Sequence, residues 1–467
     1  MKLLKAKHKS HGGVHPKYRK NLVQDMAIEE MPLPQLLRVS MAQHLGAPAR
    51  PVVKKGDTVL RGQLIGEAAG FISAAVHAPT SGTVKAVTPC PTPAGPQAPA
   101  IEIEPDGEDR WDPEVEKSAA ARDGLIAEFQ KSPGAKKDVV LGIIADAGIV
   151  GMGGAGFPTH VKLSPPPKKP IDTLIINGAE CEPYLSSDNR LMIEHAERIW
   201  SGALLVRKVL GAGTLRVAIE ENKPEAIAAM EKAAGDFGGE ADVAIVVLKT
   251  EYPQGAEKQQ IYAITGREVP AGGLPMDVGT VVQNVGTTYA VWDAVVNARP
   301  LIQRVTSLTG SPVSTPRNVL ARVGTSYADM LAFCGGTAGD VAKAISGGPM
   351  MGLAQASLDI PTTKTTSGIV LLTPAELSVY GSTPCISCGR CVDGCPMNLM
   401  PCELSQMLEA EDYDAAEEYN VLDCIECGCC AFQCPAHRPL VQHIRQGKAR
   451  IMAKRRAERQ AAAKDES

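Results

Sequence analysis

The hydrophobic pattern of the chain begins with short segments that resemble β-strands. Between residues 37 and 103, apolar pairs such as Val52-Val53 alternate with turns that contain Gly or Asp. The run 83–87, which follows Gly82, is a second example. Short apolar runs that are separated by such turns predict a small all-β unit.

Longer periodic segments follow that unit. The apolar runs 139–144, 173–176 and 244–248 predict buried strands, and helical patterns lie between them at 188–210 and 224–234. Strands that alternate with amphipathic helices indicate a mainly parallel, doubly wound sheet.

A glycine-rich segment directly follows the predicted strand at 139–144. Residues 148–159 read GIVGMGGAGFPT, and glycines let backbone amides face a phosphate without obstruction by side chains. Glycine-rich loops also serve as plain tight turns, so this signal alone is weak. It gains weight from the segment 177–183, which follows the next predicted strand at the edge where α/β sheets bind ligands. Solvation or helix N-capping is the alternative role of Glu180 and Glu182 in that segment.

Eight of the 13 cysteines fall in two blocks of identical spacing. Each block reads C-x2-C-x2-C-x3-C-P, the spacing of bacterial two-cluster ferredoxins. The first three thiolates of a block can reach one cubane, whereas the fourth ligates the cubane of the other block. The predicted ligands are Cys385, Cys388, Cys391 and Cys434 for cluster A, and Cys424, Cys427, Cys430 and Cys395 for cluster B.

Zinc and disulfides are the alternative explanations of these blocks. Zinc ribbons need two C-x2-C pairs per metal and explain neither the third Cys nor the terminal C-P. The basic N-terminus lacks the apolar segment of a signal peptide, so a reducing compartment and metal ligation fit better than disulfides. Cys429 and Cys402 lie outside the spacing, and Cys429 is either an alternative thiolate or a spectator. The other three, predicted to be small buried residues, are Cys90, Cys181 and Cys334.

Charge is distributed unevenly, although the net charge of −4 identifies no partner. The N-terminal stretch that ends at Lys20 is basic, and so is the stretch from Arg445 to Lys464. Each is interpreted either as a solvated terminus or as a surface that docks on an acidic partner or an anionic membrane. No apolar run approaches the roughly 18 residues of a transmembrane helix. We therefore predict no direct membrane span, and we predict no nucleic acid partner.

Taken together, these features resemble a known family over nearly the whole chain. The chain is similar to the C subunits of the Rnf (Rsx) electron transport complexes, and the matching segments are 11–16, 46–49, 153–159, 177–183, 252–259 and both cysteine blocks. The central region also resembles the FMN- and NADH-binding subunit of respiratory complex I, and 313–358 resembles the β-grasp module of that subunit. The region 37–103 resembles the lipoyl/biotinyl barrel-sandwich family, although 68–75 lacks the Lys that carries a cofactor.

The resemblance implies three kinds of cofactor, namely two [4Fe–4S] clusters, non-covalent FMN and NAD(H). The residues implied to bind FMN are Gly151, Gly153, Gly154, Gly156, Lys162, Asn177 and Asn284, and those implied to shape the nicotinamide side are Phe157, Glu180, Glu182 and Glu257. Glu180 and Glu182 are the candidate catalytic residues, because they can tune the flavin or position the ribose. Two positions depart from complex I, where an Arg is expected at Met152 and an acid at Ala179.

The expected architecture is a multidomain α/β protein. The predicted parts are a basic segment at 1–36, an unmodified barrel-sandwich domain at 37–110, a Rossmann-like FMN/NADH domain at 130–305, an SLBB-type β-grasp module at 310–365, a two-[4Fe–4S] ferredoxin-like α-helical domain at 373–447, and a basic helical or disordered tail at 448–467.

The implied function is electron transfer at the cytoplasmic face of the bacterial inner membrane. A hydride carries two electrons and a cubane accepts one, and a flavin can do both, so the implied order is NADH, FMN and then the clusters. The implied partners are the other subunits of an ion-translocating complex, including an iron–sulfur subunit. Two alternatives remain open. The first is a relay or scaffold subunit with a vestigial nucleotide site, and the second is a quinone-site subunit like the A subunit of the Na⁺-pumping NADH:quinone reductase.

Overall fold

The structure is a computed structural model that describes residues 2–9, 11–95, 97–235 and 242–465. Parts of the predicted segments 1–36, 37–110, 130–305 and 448–467 therefore lie outside the described residues. The strands are β1 (Lys2–Lys5), β2 (Ile28–Glu30), β3 (Leu37–Ser40), β4 (Arg50–Pro51), β5 (Thr58–Val59), β6 (Leu64–Glu67), β7 (Val76–His77), β8 (Gly82–Pro91), β9 (Gln97–Pro105), β10 (Thr173–Gly178), β11 (Thr214–Glu220), β12 (Val243–Leu248), β13 (Thr280–Asn284), β14 (Gln303–Thr309), β15 (Arg317–Arg322), β16 (Lys343–Ser346), β17 (Leu353–Gln355) and β18 (Gly368–Leu372).

Helices surround these strands, and the last of them is long. They are α1 (Pro113–Ala120), α2 (Arg122–Lys131), α3 (Pro133–Asp146), α4 (Thr159–Lys162), α5 (Ser187–Glu194), α6 (Ala196–Leu210), α7 (Pro224–Ala234), α8 (Glu257–Thr265), α9 (Val285–Asn297), α10 (Tyr327–Phe333), α11 (Arg390–Asp393), α12 (Pro401–Glu409), α13 (Tyr413–Glu418), α14 (Cys429–Gln433) and α15 (Leu440–Asp465). Among the described helices, none combines the length and the apolar character that crossing a membrane requires.

A parallel sheet with helices on both faces forms the centre of the molecule. Its strand order is β1-β12-β11-β10-β13, and each described pairing is parallel. Successive residues of β10 point to opposite faces. Leu174 and Ile176 pack in one core with Trp200 of α6, whereas Ile175 packs in a second core with Ile261 of α8. The predicted doubly wound α/β arrangement is confirmed.

The prediction of a buried strand at 139–144 is wrong. This run lies inside the 14-residue helix α3, which begins at Pro133, where the fixed φ of proline suits the first helical turn. Only Val140 and Ile144 of the helix are buried, and they lie four residues apart on one face. A short apolar run does not distinguish a strand from a half-buried helix, because both place apolar residues against a core.

Two smaller β units flank the central sheet. The first combines the sheets β3-β9-β8-β5 and β4-β6-β7 around a core that includes Val39, Ile65 and Ile101. The second is the mixed sheet β17-β16-β18-β14-β15-β2, which packs with Tyr327 of α10 over a separate core. The helices from α11 to α15 form a final unit around the two cysteine blocks.

The predicted N-terminal segment 1–36 contributes strands to two of these sheets. β1 pairs with β12 at the edge of the central sheet, and β2 pairs with β15. Lys20 is buried, and its Nζ donates to the carbonyl oxygens of Glu182 and Leu185. The interpretation of this stretch as a solvated terminus is therefore wrong for Lys20, whose pKa is lowered by burial.

Candidate functional site

The glycine loop, residues 151–157, is a narrow loop whose two ends are joined. The Gly151 amide donates to Phe157 O at 2.9 Å, and Val150 forms a β-bridge with Pro158. The tip of the loop, residues 153–155, is exposed, and a Cβ added to Gly154 would meet no protein atom within 4 Å. Gly156 has a φ of +71°, which favours glycine. The loop is thus an open cradle that a ligand can enter.

The loop lies at the switch point of the central sheet. The chain passes from β10 through β11 to β12 on one side of β10 and places β13 on the other side, which opens a crevice at the carboxyl ends of β10 and β13. Asn177 and Asn284 are direct cross-strand neighbours at these ends. Gly153 approaches Asn284 closely, because a Cβ on Gly153 would lie 3.1 Å from the Asn284 side chain. The crevice that contains the glycine loop is therefore the expected ligand site of this sheet.

The N-terminus of α9 faces the glycine loop. Asn284 Oδ1 accepts from the amides of Gly286 at 2.9 Å and Thr287 at 3.2 Å, which caps the helix. Asn284 Nδ2 donates to Asp188 Oδ2 at 2.7 Å, and the Met152 amide donates to Thr287 Oγ1 at 2.8 Å. A 13-residue helix with its N-terminus at the cradle favours an anion there. The donors and the space of this cradle fit the phosphate of FMN.

A second group of predicted residues borders the same crevice. Lys162 Nζ lies 2.7 Å from Glu257 Oε1. Asn177 Nδ2 donates to Gly255 O at 2.9 Å, and Asn177 Oδ1 accepts from Gln260 Nε2 at 2.7 Å. Lys162 is thus paired with Glu257, while the orientation of Asn177 is fixed from the segment before α8.

Both candidate catalytic carboxylates accept hydrogen bonds from other groups of the protein. Glu180 Oε1 accepts from the amide of Asp188 at 2.9 Å and from Ser187 Oγ at 3.2 Å, at the start of α5. Glu182 accepts from the amides of Met350 at 3.1 Å and Met351 at 2.8 Å. Burial raises the pKa of Glu182, and those two amides oppose the rise. Glu180 therefore binds the start of α5, and Glu182 binds the loop between β16 and β17. A catalytic role for either residue stays a prediction.

The four predicted ligands of cluster B lie around one cavity. Cys395 lines it together with the three first cysteines of block two, and apolar side chains such as Ile425 and Ile444 complete the wall. Burial, followed by the nearby charges of Cys424, Cys427 and Cys395, raises the pKa of Cys430 well above its ordinary value. Cys395 comes from block one, so the arrangement fits the crossed ligation that the spacing predicts.

The predicted ligands of cluster A lie nearer to solvent. Cys388 is exposed, and Ile386 next to it is 63% exposed. Burial and then Cys402 raise the pKa of Cys391 to about 12, and Cys434 of block two adds to this rise. The structure thus brings Cys434 to Cys391, and it places Cys402, which lies outside the spacing, in the same group.

Cluster B is the site that adjoins the flavin domain. Tyr252, which is fully buried, donates from its hydroxyl to Cys427 O at 2.7 Å. Cys429 Sγ lies 3.9 Å from Tyr252 O, and Gln259 Nε2 donates to Pro396 O at 3.0 Å. The spacing of the cysteines gave no indication of Tyr252, and only the similarity of the segment 252–259 to the Rnf family marked it.

Contacts continue from Tyr252 to the crevice. The Gly255 amide donates to Cys181 Sγ at 3.3 Å, and Cys181 packs in one apolar cluster with Tyr252 and Cys427. Gly255 O in turn accepts from Asn177. Cys181, predicted as an ordinary buried residue, is buried and lies on this direct route between Asn177 and Cys427.

Two basic residues of α15 lie close to block two. Lys448 Nζ donates to Cys424 O at 2.7 Å and to Glu426 Oε1 at 2.6 Å, and Arg445 Nη2 donates to Met351 O at 2.8 Å. A cubane with four thiolate ligands is anionic, and nearby cations and hydrogen bonds set its potential. Part of the predicted basic tail is therefore used inside the protein.

Comparison with known families agrees with these four units. The family model described as the RnfC barrel sandwich hybrid domain matches residues 8–108, and the Nuo51 FMN-binding domain matches 144–293. The SLBB domain matches 305–354, and the 4Fe-4S dicluster domain matches 378–435. The predicted fold class, a multidomain α/β protein with these four kinds of domain, is confirmed, and the exact domain bounds stay a prediction.

Three relatives match nearly the whole chain. The C subunit of the proton-translocating ferredoxin:NAD(+) oxidoreductase complex of Clostridium ljungdahlii is 49% identical over 435 residues, which is 93% of this chain and 92% of the relative. The C subunit of the Na(+)-translocating ferredoxin:NAD(+) oxidoreductase complex of Acetobacterium woodii is 43% identical over 95% of this chain and 97% of its own. The C subunit of the ion-translocating oxidoreductase complex of Rhodobacter capsulatus is 44% identical over 94% of this chain and 82% of its own.

The chain belongs to the RnfC family of C subunits of ion-translocating oxidoreductase complexes. For this RnfC-family chain, the range matched by the FMN-binding domain contains the glycine loop, Lys162, Asn177, Glu257 and Asn284. The range matched by the dicluster domain contains all eight cysteines of the two blocks. FMN and two [4Fe–4S] clusters are its cofactors.

Proposed function

We propose that the chain is the electron-transfer subunit at which a ferredoxin:NAD oxidoreductase complex reacts with NAD(H). The observation that carries this function is the continuous route of contacts from Asn177 at the crevice through Gly255, Cys181 and Tyr252 to Cys427. FMN in the crevice supplies the conversion between a two-electron hydride and single electrons. The protein fixes the distances along this route and excludes water from it, since Cys181, Tyr252 and Cys427 are buried.

The roles of the individual residues follow from their positions. The amides of the glycine loop bind the phosphate, the dipole of α9 favours its negative charge, and Asn177 and Lys162 face the flavin. Phe157, which is half-buried at the end of the loop, and Glu257 border the nicotinamide side. The eight block cysteines hold the clusters in the crossed arrangement, with Cys395 in cluster B and Cys434 in cluster A.

The clusters act in a fixed order within this proposal. Cluster B exchanges electrons with the flavin domain, because Tyr252 and Gln259 contact the backbone around its ligands. Cluster A exchanges electrons with the partner, because Cys388 is exposed and Val379 and Ile386, which precede it in the chain, are 84% and 63% exposed. The partner is a redox subunit of the same complex. In this proposal the chain is a peripheral subunit at the cytoplasmic face of the membrane.

One anaerobic experiment tests this function. The full chain is reconstituted with iron, sulfide and FMN, and NADH is then added. We expect bleaching of the flavin absorbance near 450 nm, followed by loss of the broad cluster absorbance. Flavin that binds and is not bleached by NADH would contradict the proposal and would favour a relay subunit with a vestigial nucleotide site, which the departures at Met152 and Ala179 motivate.

A further inference from the structure

A buried arginine from the mixed sheet contacts the backbone of the glycine loop. Arg304 belongs to β14 and is 7% exposed. Its Nη2 donates to Met152 O at 2.7 Å, and its Nη1 donates to Lys364 O at 2.7 Å. Its Nε has no partner among the described residues, and the side chain lines a cavity together with Met152, Asp188 and Gly286. One guanidinium thus joins the mixed sheet to the glycine loop.

The bond to Met152 O determines the direction of the peptide group between Met152 and Gly153. In a trans peptide the C=O and the N–H point in opposite directions. Because Arg304 holds this oxygen on the inner side of the loop, the Gly153 amide points to the outer side. The amides of Gly153, Gly154 and Ala155 donate to no protein acceptor in the part of the chain that the structure describes. They are therefore free to bind a ligand at the exposed tip.

The glycine loop contains no cationic residue of its own. The Met152 side chain is apolar and buried, so it supplies no charge to the loop. A buried lysine lies just before the loop, where Lys364 Nζ donates to Gly148 O at 2.7 Å and to Ala75 O at 2.6 Å. Arg304 and Lys364 both lie outside the range 144–293 that the FMN-binding domain matches, and both donate to backbone oxygens. The loop thus has a positive charge near its backbone but no charged side chain at its tip. This arrangement favours an anion that is bound by the backbone amides.

We propose that Arg304 is the positioning residue of the FMN phosphate site. It holds the peptide between Met152 and Gly153 so that the amides of the loop face the phosphate, and it acts without contact to the ligand. The inference rests on the proposed function, since FMN is the ligand of that function. A loop that lost this bond would still close through Gly151 and Phe157, but the direction of the Gly153 amide would no longer be fixed.

The ratio of riboflavin to FMN dissociation constants isolates the phosphate, because riboflavin lacks it. Both constants are measured by equilibrium dialysis on the cluster-loaded full chain. We expect R304Q to lower this ratio about tenfold, which corresponds to about 1.4 kcal/mol of lost phosphate binding. R304K keeps the charge but cannot bind two carbonyl oxygens with a rigid fork, so we expect a several-fold decrease for it.

Arg322 is the matched control. It lies on the neighbouring strand β15, is 6% exposed, and donates to Pro79 O at 2.8 Å, so it also joins the mixed sheet to another unit without touching the glycine loop. R322Q is expected to lower thermal stability while leaving the ratio unchanged.

Three outcomes would overturn the inference. They are an unchanged ratio in R304K or in R304Q, which includes an equal loss of riboflavin and FMN binding, the same decrease of the ratio in R322Q, and a wild-type chain that binds riboflavin as tightly as FMN. If the last outcome is accompanied by bleaching of the flavin with NADH, the proposed function stands and the inference alone fails. A wild-type chain that binds neither flavin overturns both.

Discussion

The cysteine domain and the glycine loop are the two ends of the proposed electron route, and they are built differently. In the cysteine domain, the residues implied to hold the clusters lie within about fifty positions of one another, between Cys385 and Cys434. The glycine loop depends on residues from distant parts of the chain, since Asn284 packs on Gly153 and Arg304 binds Met152 O. The cysteine domain supplies all its predicted ligands from one short segment, whereas the conformation of the glycine loop depends on contacts with distant residues.

Because of this difference, we expect the two sites to respond differently to single substitutions. Loss of one block cysteine removes one of the four predicted ligands of a cluster, so we expect a large effect that is confined to that cluster. Loss of one contact around the glycine loop leaves the other contacts in place, so the effect is partial and depends on position. Tyr252, which packs with Cys181 and donates to Cys427 O, connects the crevice side of the route to block two.

The largest expected effect comes from Cys395→Ser. Cys395 stands in block one but lines the cavity of cluster B, so its loss should leave cluster A in place. We expect the iron content to fall from about eight to about four per chain. The remaining electron paramagnetic resonance signal should match that of C424S and differ from that of C385S. A signal that matches C385S instead would disprove the crossed ligation.

Gly154→Ala tests the open side of the glycine loop. A Cβ at Gly154 meets no protein atom within 4 Å, so the variant should unfold at the wild-type temperature. The added methyl group occupies the space of the ligand, and we expect FMN binding to weaken about tenfold. Gly339 is exposed and equally free of close neighbours, so G339A is the matched control with wild-type binding. Unchanged FMN binding in G154A would place the phosphate elsewhere.

The sequence predicted the two ends of the route to different extents. Spacing alone pairs Cys395 with block two, because a cubane needs a fourth thiolate that the loop of block two cannot provide. The glycine loop was also found, although its preceding element is the helix α3 and not a strand. The contacts of Glu182 with Met350 and of Arg304 with Met152 could not be predicted, because each joins residues more than 150 positions apart and no local pattern marks it.

Tyr252→Phe should have a smaller effect, confined to the junction between the two regions. It removes the donor to Cys427 O, and an unsatisfied buried carbonyl costs about 1–3 kcal/mol. We expect faster amide hydrogen exchange in residues 424–430, with wild-type exchange in 385–391 and wild-type FMN affinity. Equal acceleration in both blocks would show that Tyr252 supports the whole domain and not one cluster.

The last prediction concerns the pH dependence of stability and Lys364. Burial lowers the pKa of Lys364 to about 7 from an ordinary value of 10.5. Between these values Lys364 is protonated in the unfolded chain and neutral in the folded chain, so its contribution to the free energy of unfolding rises with pH from about 7 to about 10. His44 and His77 stay neutral in this range, because burial and then Lys364 lower their pKa values to about 4 and about 3.

The control for that prediction is K364M, which keeps an unbranched side chain, shorter by one atom, and removes the charge. The difference between wild type and K364M in the free energy of unfolding, measured by urea denaturation, should grow in favour of wild type from pH 7 to pH 9. A difference that does not depend on pH would mean that Lys364 does not titrate in this range.

The order of electron transfer is the central claim, and rapid anaerobic mixing tests it most directly. NADH is mixed with FMN-loaded C388S, which should lack cluster A, and with C395S, which should lack cluster B. We predict that the flavin is bleached in both variants, that cluster B is reduced at the wild-type rate in C388S, and that cluster A stays oxidised in C395S over the same time. Reduction of cluster A at the wild-type rate in C395S would contradict the account.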